Sequence, residues 1–181
     1  TSKGTHLNNL LNLVEGELVS STITLKSLDI DGYFVMVTNK GLIKRSEIRE
    51  YDTSLRKRGL KAITLTEGDK LSFVMTTDGN KDVMLVTAMG MAVRYQETLV
   101  RCIGKNGQGS RSMLLSNDDN IAAVLAIDSD QDPSILVVTE LGKGKKTSAS
   151  EYRSTAGRTV KGQRTINQSK REKTGKIVSA L

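Results

Sequence analysis

The clearest early pattern is a run of apolar and β-branched residues, Phe34-Val35-Met36-Val37-Thr38. It breaks at Asn39-Lys40-Gly41 and resumes as Leu42-Ile43-Lys44-Arg45. Two such runs around a glycine turn predict antiparallel strands, because β-branched side chains suit a pleated surface and glycine tolerates the turn backbone. A basic, glycine-bearing loop follows, Arg56-Lys57-Arg58-Gly59, and then Ala62-Ile63-Thr64-Leu65 and an acidic turn, Glu67-Gly68-Asp69. The whole stretch, residues 34–71, reads as one unit with a strand-forming head and a basic, turn-rich tail.

The unit returns. Its head recurs as Val83-Met84-Leu85-Val86-Thr87-Ala88-Met89-Gly90 and as Ile135-Leu136-Val137-Val138-Thr139-Glu140-Leu141-Gly142. In that register Arg45 is matched by Arg94 and Lys146, and Glu50-Tyr51 by Glu151-Tyr152. Gly59 with Glu67-Gly68-Asp69 is matched by Gly109 with Asn117-Asp118-Asp119. Looser copies are Gly4 with Glu15-Gly16-Glu17 and Gly162 with Lys173-Thr174-Gly175. A period of about 50 residues, each holding about four short strands, is the signature of a propeller-like blade. The chain thus divides into a partial blade (1–33), three units (34–82, 83–132 and 133–181) and an expectation that both ends are cut from a longer array. Thr77-Asp78-Gly79-Asn80 and the polar run 128–132 read as hairpin loops.

Composition narrows the core. Hydrophobic residues are 37% of the 181, but aromatics are 3% with no Trp, so the packing must be aliphatic. A formal charge of +7 and an isoelectric point of about 9.5 fit a partner that carries phosphates. The charge is spread over the repeats, which favours a binding surface over a tail. Cys102 is the single cysteine, so no disulfide forms within the chain, and it is expected as a half-buried small side chain. No apolar run reaches the ~20 residues of a membrane helix. His6, with no second histidine, is expected in a solvated loop.

Other chemistries fail on spacing. Asp128-Ser129-Asp130-Gln131-Asp132 imitates the start of a calcium loop, but Pro133 stands where glycine is needed and Thr139 where a bidentate glutamate is needed. Gly142-Lys143-Gly144-Lys145-Lys146-Thr147-Ser148 lacks the spacing of a nucleotide-binding loop. No nucleophile–base pair is apparent, and no cofactor is expected.

What recurs is a basic set. Lys44 and Arg45, Arg94, then Lys143, Lys145 and Lys146 lie late in the heads or just after their turns. The following loops carry Arg56, Lys57, Arg58 and Lys61; then Arg101, Lys105 and Arg111; then Arg153, Arg158, Lys161 and Arg164. Repeated cations beside loop glycines predict a belt that contacts phosphates at intervals and reads no bases. Solvated charges on a protein-interaction scaffold are the competing reading.

The order V-T-x-x-G-x-x-x-[KR], E-[YF], basic glycine loop, [AG]-I-x-L-x-x-G-D-x-L resembles the C-terminal domain of the A subunit of bacterial DNA gyrase. Residues 34–71 carry it most clearly, and 83–119 and 135–181 follow. The resemblance implies an all-β pinwheel, a disc of blades that exchange strands, with double-stranded DNA wrapped on its rim. It implies a cytoplasmic, nucleoid-associated, ATP-dependent type IIA topoisomerase as parent, an isomerase that introduces negative supercoils. The partners would be the rest of the A-subunit dimer and the ATPase B subunit, with no membrane. Catalysis would lie in another domain, so Tyr33, Tyr51, Tyr95 and Tyr152 receive no catalytic role. The related topoisomerase IV domain, which selects substrate geometry, is the alternative parent. The gyrase-box heptapeptide Q-R-R-G-G-K-G is absent, residues 157–162 being a degenerate approximation, and is expected upstream of Thr1.

Overall fold

A computed structural model describes residues 4, 11, 13, 15–52, 59–167, 169 and 171–181. Strands β1 (Tyr33–Thr38) and β2 (Leu42–Glu47) form the expected hairpin, and β3 (Leu71–Thr77) pairs with the other side of β1. The plan repeats in β4 (Lys81–Thr87), β5 (Met91–Gln96) and β7 (Ile121–Asp128), with β6 (Ser110–Arg111) preceding β7. It repeats again in β8 (Ser134–Thr139), β9 (Gly144–Ser148) and β11 (Ile177–Ala180), with β10 (Gln163–Arg164) preceding β11. A single turn of helix, Arg171–Thr174, departs from the expected pattern.

The sheet orders reveal an exchange. The first sheet runs β3-β1-β2-β6, the second β10-β5-β4-β7 and the third β11-β8-β9. Strand β6 therefore belongs to the second unit in sequence and to the first blade in space. Strand β10 stands in the same relation to the third unit and the second blade. The fold is all-β and propeller-like, with blades completed by their successors.

Packing follows the two-residue period of the strands. Val35 and Val37 face one way from β1 and join Val83 and Leu85 of β4 in one buried cluster. Met84 and Val86 face the other way from β4 and join Ile135 and Val137 of β8 in the next. A central strand with both faces covered reads as a continuous apolar run, as 83–86 does, and these four residues are wholly buried. The opposite face of the first blade, Phe34 and Met36, packs with Ile48 and Ile63 and with the half-buried Leu25 and Leu28.

Several expectations change. Residues 77–80 and 128–133 do not close hairpins: each joins the last strand of one blade to the first of the next. The Asp-Gly turn serves there because β3 must cross the inter-blade seam within a few residues. Thr64 makes a single parallel bridge to Gln108, so 62–65 is a splice between units and not a blade strand. Among the described residues before β1, none is assigned to a strand. The histidine reading, on His6, falls outside the described residues.

Two glycines set how closely the exchanged segment lies on its host strand. A Cβ at Gly109 would stand 2.9 Å from the Ile43 carbonyl oxygen. At Gly162, with φ +78°, it would stand 2.1 Å from the Ala92 carbonyl oxygen. Neither backbone can retreat without breaking the β2–β6 or β5–β10 pairing. Gly162→Ala should cost about 2 kcal/mol or more, and Gly109→Ala less, because no left-handed backbone adds to its clash. Urea unfolding of the two variants checks both the loss and its order.

Candidate nucleic-acid interface

The segment 101–111 lies along the outer edge of β2. Ile103 N–H donates to the Arg45 carbonyl at 2.8 Å, and Arg45 N–H donates to the Arg101 carbonyl at 3.2 Å. Ser112 N–H and hydroxyl both donate to the Gly41 carbonyl, at 2.9 and 2.8 Å. The segment 153–165 treats β5 alike: Thr155 N–H donates to the Arg94 carbonyl at 2.8 Å, and Thr165 N–H to the Gly90 carbonyl at 2.9 Å. Backbone bonding thus holds both basic loops on the outer edges of the preceding blades.

Within those loops, Arg101 and Arg111 are exposed, as are Arg153, Lys161 and Arg164, and Lys61 is exposed in the first unit. Lys143, Lys145 and Lys146 are exposed around β9, the outer strand of the third sheet. Lys145 Nζ also donates to the Thr165 carbonyl at 2.9 Å, tying β9 to the exchanged segment. Lys105 is half-buried: its N–H donates to Glu50 Oε2 at 3.0 Å and its ammonium to the Glu50 carbonyl at 3.3 Å. Arg158 is half-buried too, with Nη1 donating to Ser110 Oγ and to the Arg111 carbonyl, both at 2.7 Å. The second exchanged segment therefore grips the first, and the first grips its host blade at Glu50. Arg56, Lys57 and Arg58 lie outside the described residues.

Three predicted contacts are corrected. Lys44 is fully buried, and its ammonium donates to the Gly104 and Lys105 carbonyls at 2.9 and 3.1 Å. Burial pushes its pKa below the usual lysine value, against the opposing pull of Glu50. Arg45 donates through Nε to the Val100 carbonyl at 2.9 Å, lies 3.8 Å from Glu97 Oε2 and stacks 4.6 Å over Tyr33. Arg94 donates to Asp82 Oδ2 at 2.7 Å and to the Ala149 carbonyl at 2.9 Å. The Lys44 head is held beneath the exchanged segment, and the Arg45 and Arg94 heads are engaged at the seams between blades. Cys102 differs as well: it is exposed, on the segment that bridges to Arg45.

The partners of these cations escaped sequence reasoning. Glu97 is wholly buried, accepting the Thr77 hydroxyl at 2.6 Å on one oxygen and the Lys81 N–H at 2.8 Å on the other. Asp82 holds Arg94 from the adjoining strand. The signal was present, since Glu97 follows the β5 run directly and Asp82 opens β4. Neither lies in a position the repeat comparison matched, so neither stood out. Among the described residues no helix is long and apolar enough to cross a membrane.

A family model described as "DNA gyrase C-terminal domain, beta-propeller" matches residues 32–78, 81–128 and 133–181, one match per sheet. The chain belongs to the DNA gyrase C-terminal domain family. The DNA gyrase A subunit of Haloquadratum walsbyi is 41% identical over 157 residues, covering 84% of this chain and 18% of that protein. Its counterpart in Lawsonia intracellularis is 35% identical over 181 residues, covering 99% and 22%. The chain thus spans less than a quarter of the length of these relatives. The solved DNA gyrase A C-terminal domain superposes with TM-score 0.81 at 24% identity, over 99% of this chain and 58% of that one. The topoisomerase IV C-terminal domain superposes with TM-score 0.78 at 22% identity, over 98% and 70%. Those two likenesses carry the fold alone.

Within this gyrase-family fold Arg94 and Asp82 form a buried pair across the second hairpin, with side chains 10% and 5% exposed. Arg94→Met leaves Asp82 buried without its partner and should cost about 3–5 kcal/mol, whereas Arg94→Met with Asp82→Leu should recover most of the loss. Chemical denaturation of the two variants against the parent chain measures both.

Proposed function

We propose that this chain binds duplex DNA along the outer edge of its blades, without reading sequence. The carrying observation is the placement of Arg101, Arg111, Arg153 and Lys161: all are exposed, and all ride on the segments that cover the outer strands. Family membership supports the reading, as do the neighbouring Lys143, Lys145 and Lys146. Side chains of this kind pair with phosphate oxygens from many approach angles, so they give affinity without base discrimination.

Within a gyrase holoenzyme, such an edge would bend the duplex as it holds it. Bending a 20–30 bp stretch costs of order 1–6 kcal/mol, which serial phosphate contacts offset. The function we infer is DNA wrapping in support of ATP-dependent negative supercoiling by an enzyme assembled with the rest of the A-subunit dimer and the ATPase B subunit. Sequence relatives at 41% and 35% identity are gyrase A subunits, which favours that parent over topoisomerase IV. Catalysis by this chain is not part of the proposal, and the tyrosines sit in strand or turn positions.

The test is duplex affinity measured against salt. Log affinity should fall linearly with log salt, and Arg111→Ala or Lys161→Ala should each flatten the slope by about 0.9. Arg94→Met should leave the slope unchanged, because its charge faces Asp82. A flat parent slope would sink the reading, and retention of a protein partner without DNA would replace it with the scaffold.

A further inference from the structure

The segment 101–107 is bound to the first blade through its carbonyl side. The carbonyls of Arg101 and Ile103 accept from Arg45 N–H and the Ser46 hydroxyl, the latter at 2.6 Å. Those of Gly104 and Lys105 accept from the Lys44 ammonium. Those of Asn106 and Gly107 accept from the Thr64 hydroxyl at 2.7 Å and the Thr64 N–H at 3.2 Å. The N–H groups divide differently. Those of Ile103, Lys105 and Gly107 are bonded, to the Arg45 carbonyl, Glu50 Oε2 and the Gly104 carbonyl. Gly104 and Asn106 are both exposed, and no hydrogen bond is seen for their N–H groups among the described residues.

We propose that residues 104–106 form a cradle for one backbone phosphate of DNA, with the Gly104 and Asn106 N–H groups as donors and Lys44 as the positioning residue. The proposal rests on the DNA reading above and deepens it. A loop whose acceptors are drawn inward presents donors outward, and such concavities hold anions. Gly104 has no side chain to shield its N–H. The cations Arg101 and Lys105 flank the cradle and offset the Glu50 carboxylate, whose Oε2 accepts the Lys105 N–H and would stand 3.4 Å from a Cβ at Gly104. Lys44 touches no ligand and acts through the two carbonyls it holds.

Among the described residues the second blade does not repeat the device. Lys44 pairs with Met36 across the first hairpin; in the second, Leu85 pairs with Val93, which offers no ammonium to the segment above it. There Thr155 turns its hydroxyl to the Gly157 and Arg94 carbonyls. The amides near Thr155 should be indifferent to the substitution tested at Lys44.

The experiment is a titration of the nitrogen-15-labelled 181-residue chain with a short duplex, read by amide NMR. The Gly104 and Asn106 amide protons should shift downfield together with the amides around Lys161. In Lys44→Met the first two shifts should vanish, those around Lys161 should persist, and duplex affinity should fall about three- to tenfold. Ser46→Ala, which removes the hydroxyl on the Ile103 carbonyl of the peptide that carries the Gly104 N–H, should weaken the Gly104 shift alone and covers the case in which Lys44→Met does not fold. Duplex binding that leaves Gly104 and Asn106 unmoved would overturn the cradle while sparing the DNA reading. Persistence of their shifts in folded Lys44→Met would overturn the role of Lys44. No binding by the parent chain would remove both proposals together.

Discussion

The hydrogen-bonding edge of each outer strand is the constraint on which this molecule depends. An edge strand left bare is a row of unsatisfied donors and acceptors and a template for aggregation. Here the edges of β2 and β5 are closed by segments of the next unit, β6 with its preceding loop and β10 with its own. A unit of this kind is not complete alone: its sheet wants a strand from its successor, and its apolar face wants the successor's β-sheet. Val35 and Val37 bury against Val83 and Leu85 just where β6 crosses over. Edge closure and core formation are therefore one event per seam.

That arrangement sorts the cations. A strand between two blades has no solvent face, so a cation on it must find partners inside. Lys44 and Arg45 do so through groups of the following unit, and Arg94 through Asp82 of its own hairpin and the Ala149 carbonyl of the following unit. The guanidinium suits the seam because its several donors reach an acid and a carbonyl at once, as Arg94 reaches Asp82 and Ala149. On the exchanged segments Arg101, Arg111, Arg153 and Lys161 have exposed side chains over a backbone tied inward, while Lys105 and Arg158 fold back onto the protein. Position relative to the seam, and not residue type or spacing, divides the basic set into fasteners and contacts.

This division explains what could be read from the residues and what could not. The β1–β2, β4–β5 and β8–β9 hairpins were legible because a β-branched run, a turn glycine and a second run are local signals, and Gly41, Gly90 and Gly142 do adopt positive φ, at 81°, 88° and 69°. The repeat was legible because those signals return in order. Burial of Arg45 and Arg94 was hidden, since it depends on Glu97 and the Ala149 carbonyl, which reach these cations only after blades stack. The turn at 77–80 was misread for a related reason. Asp-Gly specifies a tight reversal, but whether the two strands then pair depends on which sheet each joins. Cys102 followed its residue type to a half-buried expectation, yet it sits on an exchanged segment that has solvent on one side.

The same geometry bears on how a rim of this kind could hold a stiff ligand. A flexible loop studded with lysines would contact phosphates but could not oppose the elastic recoil of a bent duplex. Here each basic segment is fastened over a host strand by backbone bonds, and to the preceding segment by Arg158, whose guanidinium spans Ser110 and Arg111. The exposed cations of the two segments thus ride on backbones joined to each other through Arg158 and through Leu114 N–H to the Val160 carbonyl. Their spacing is set by the packing of Val, Leu and Ile at the seams, which resists small deformations because interiors are close-packed. On this view the apolar pattern that first marked the chain also fixes the interval between its charges. A change to a buried valine would be felt at the rim as surely as the loss of an arginine.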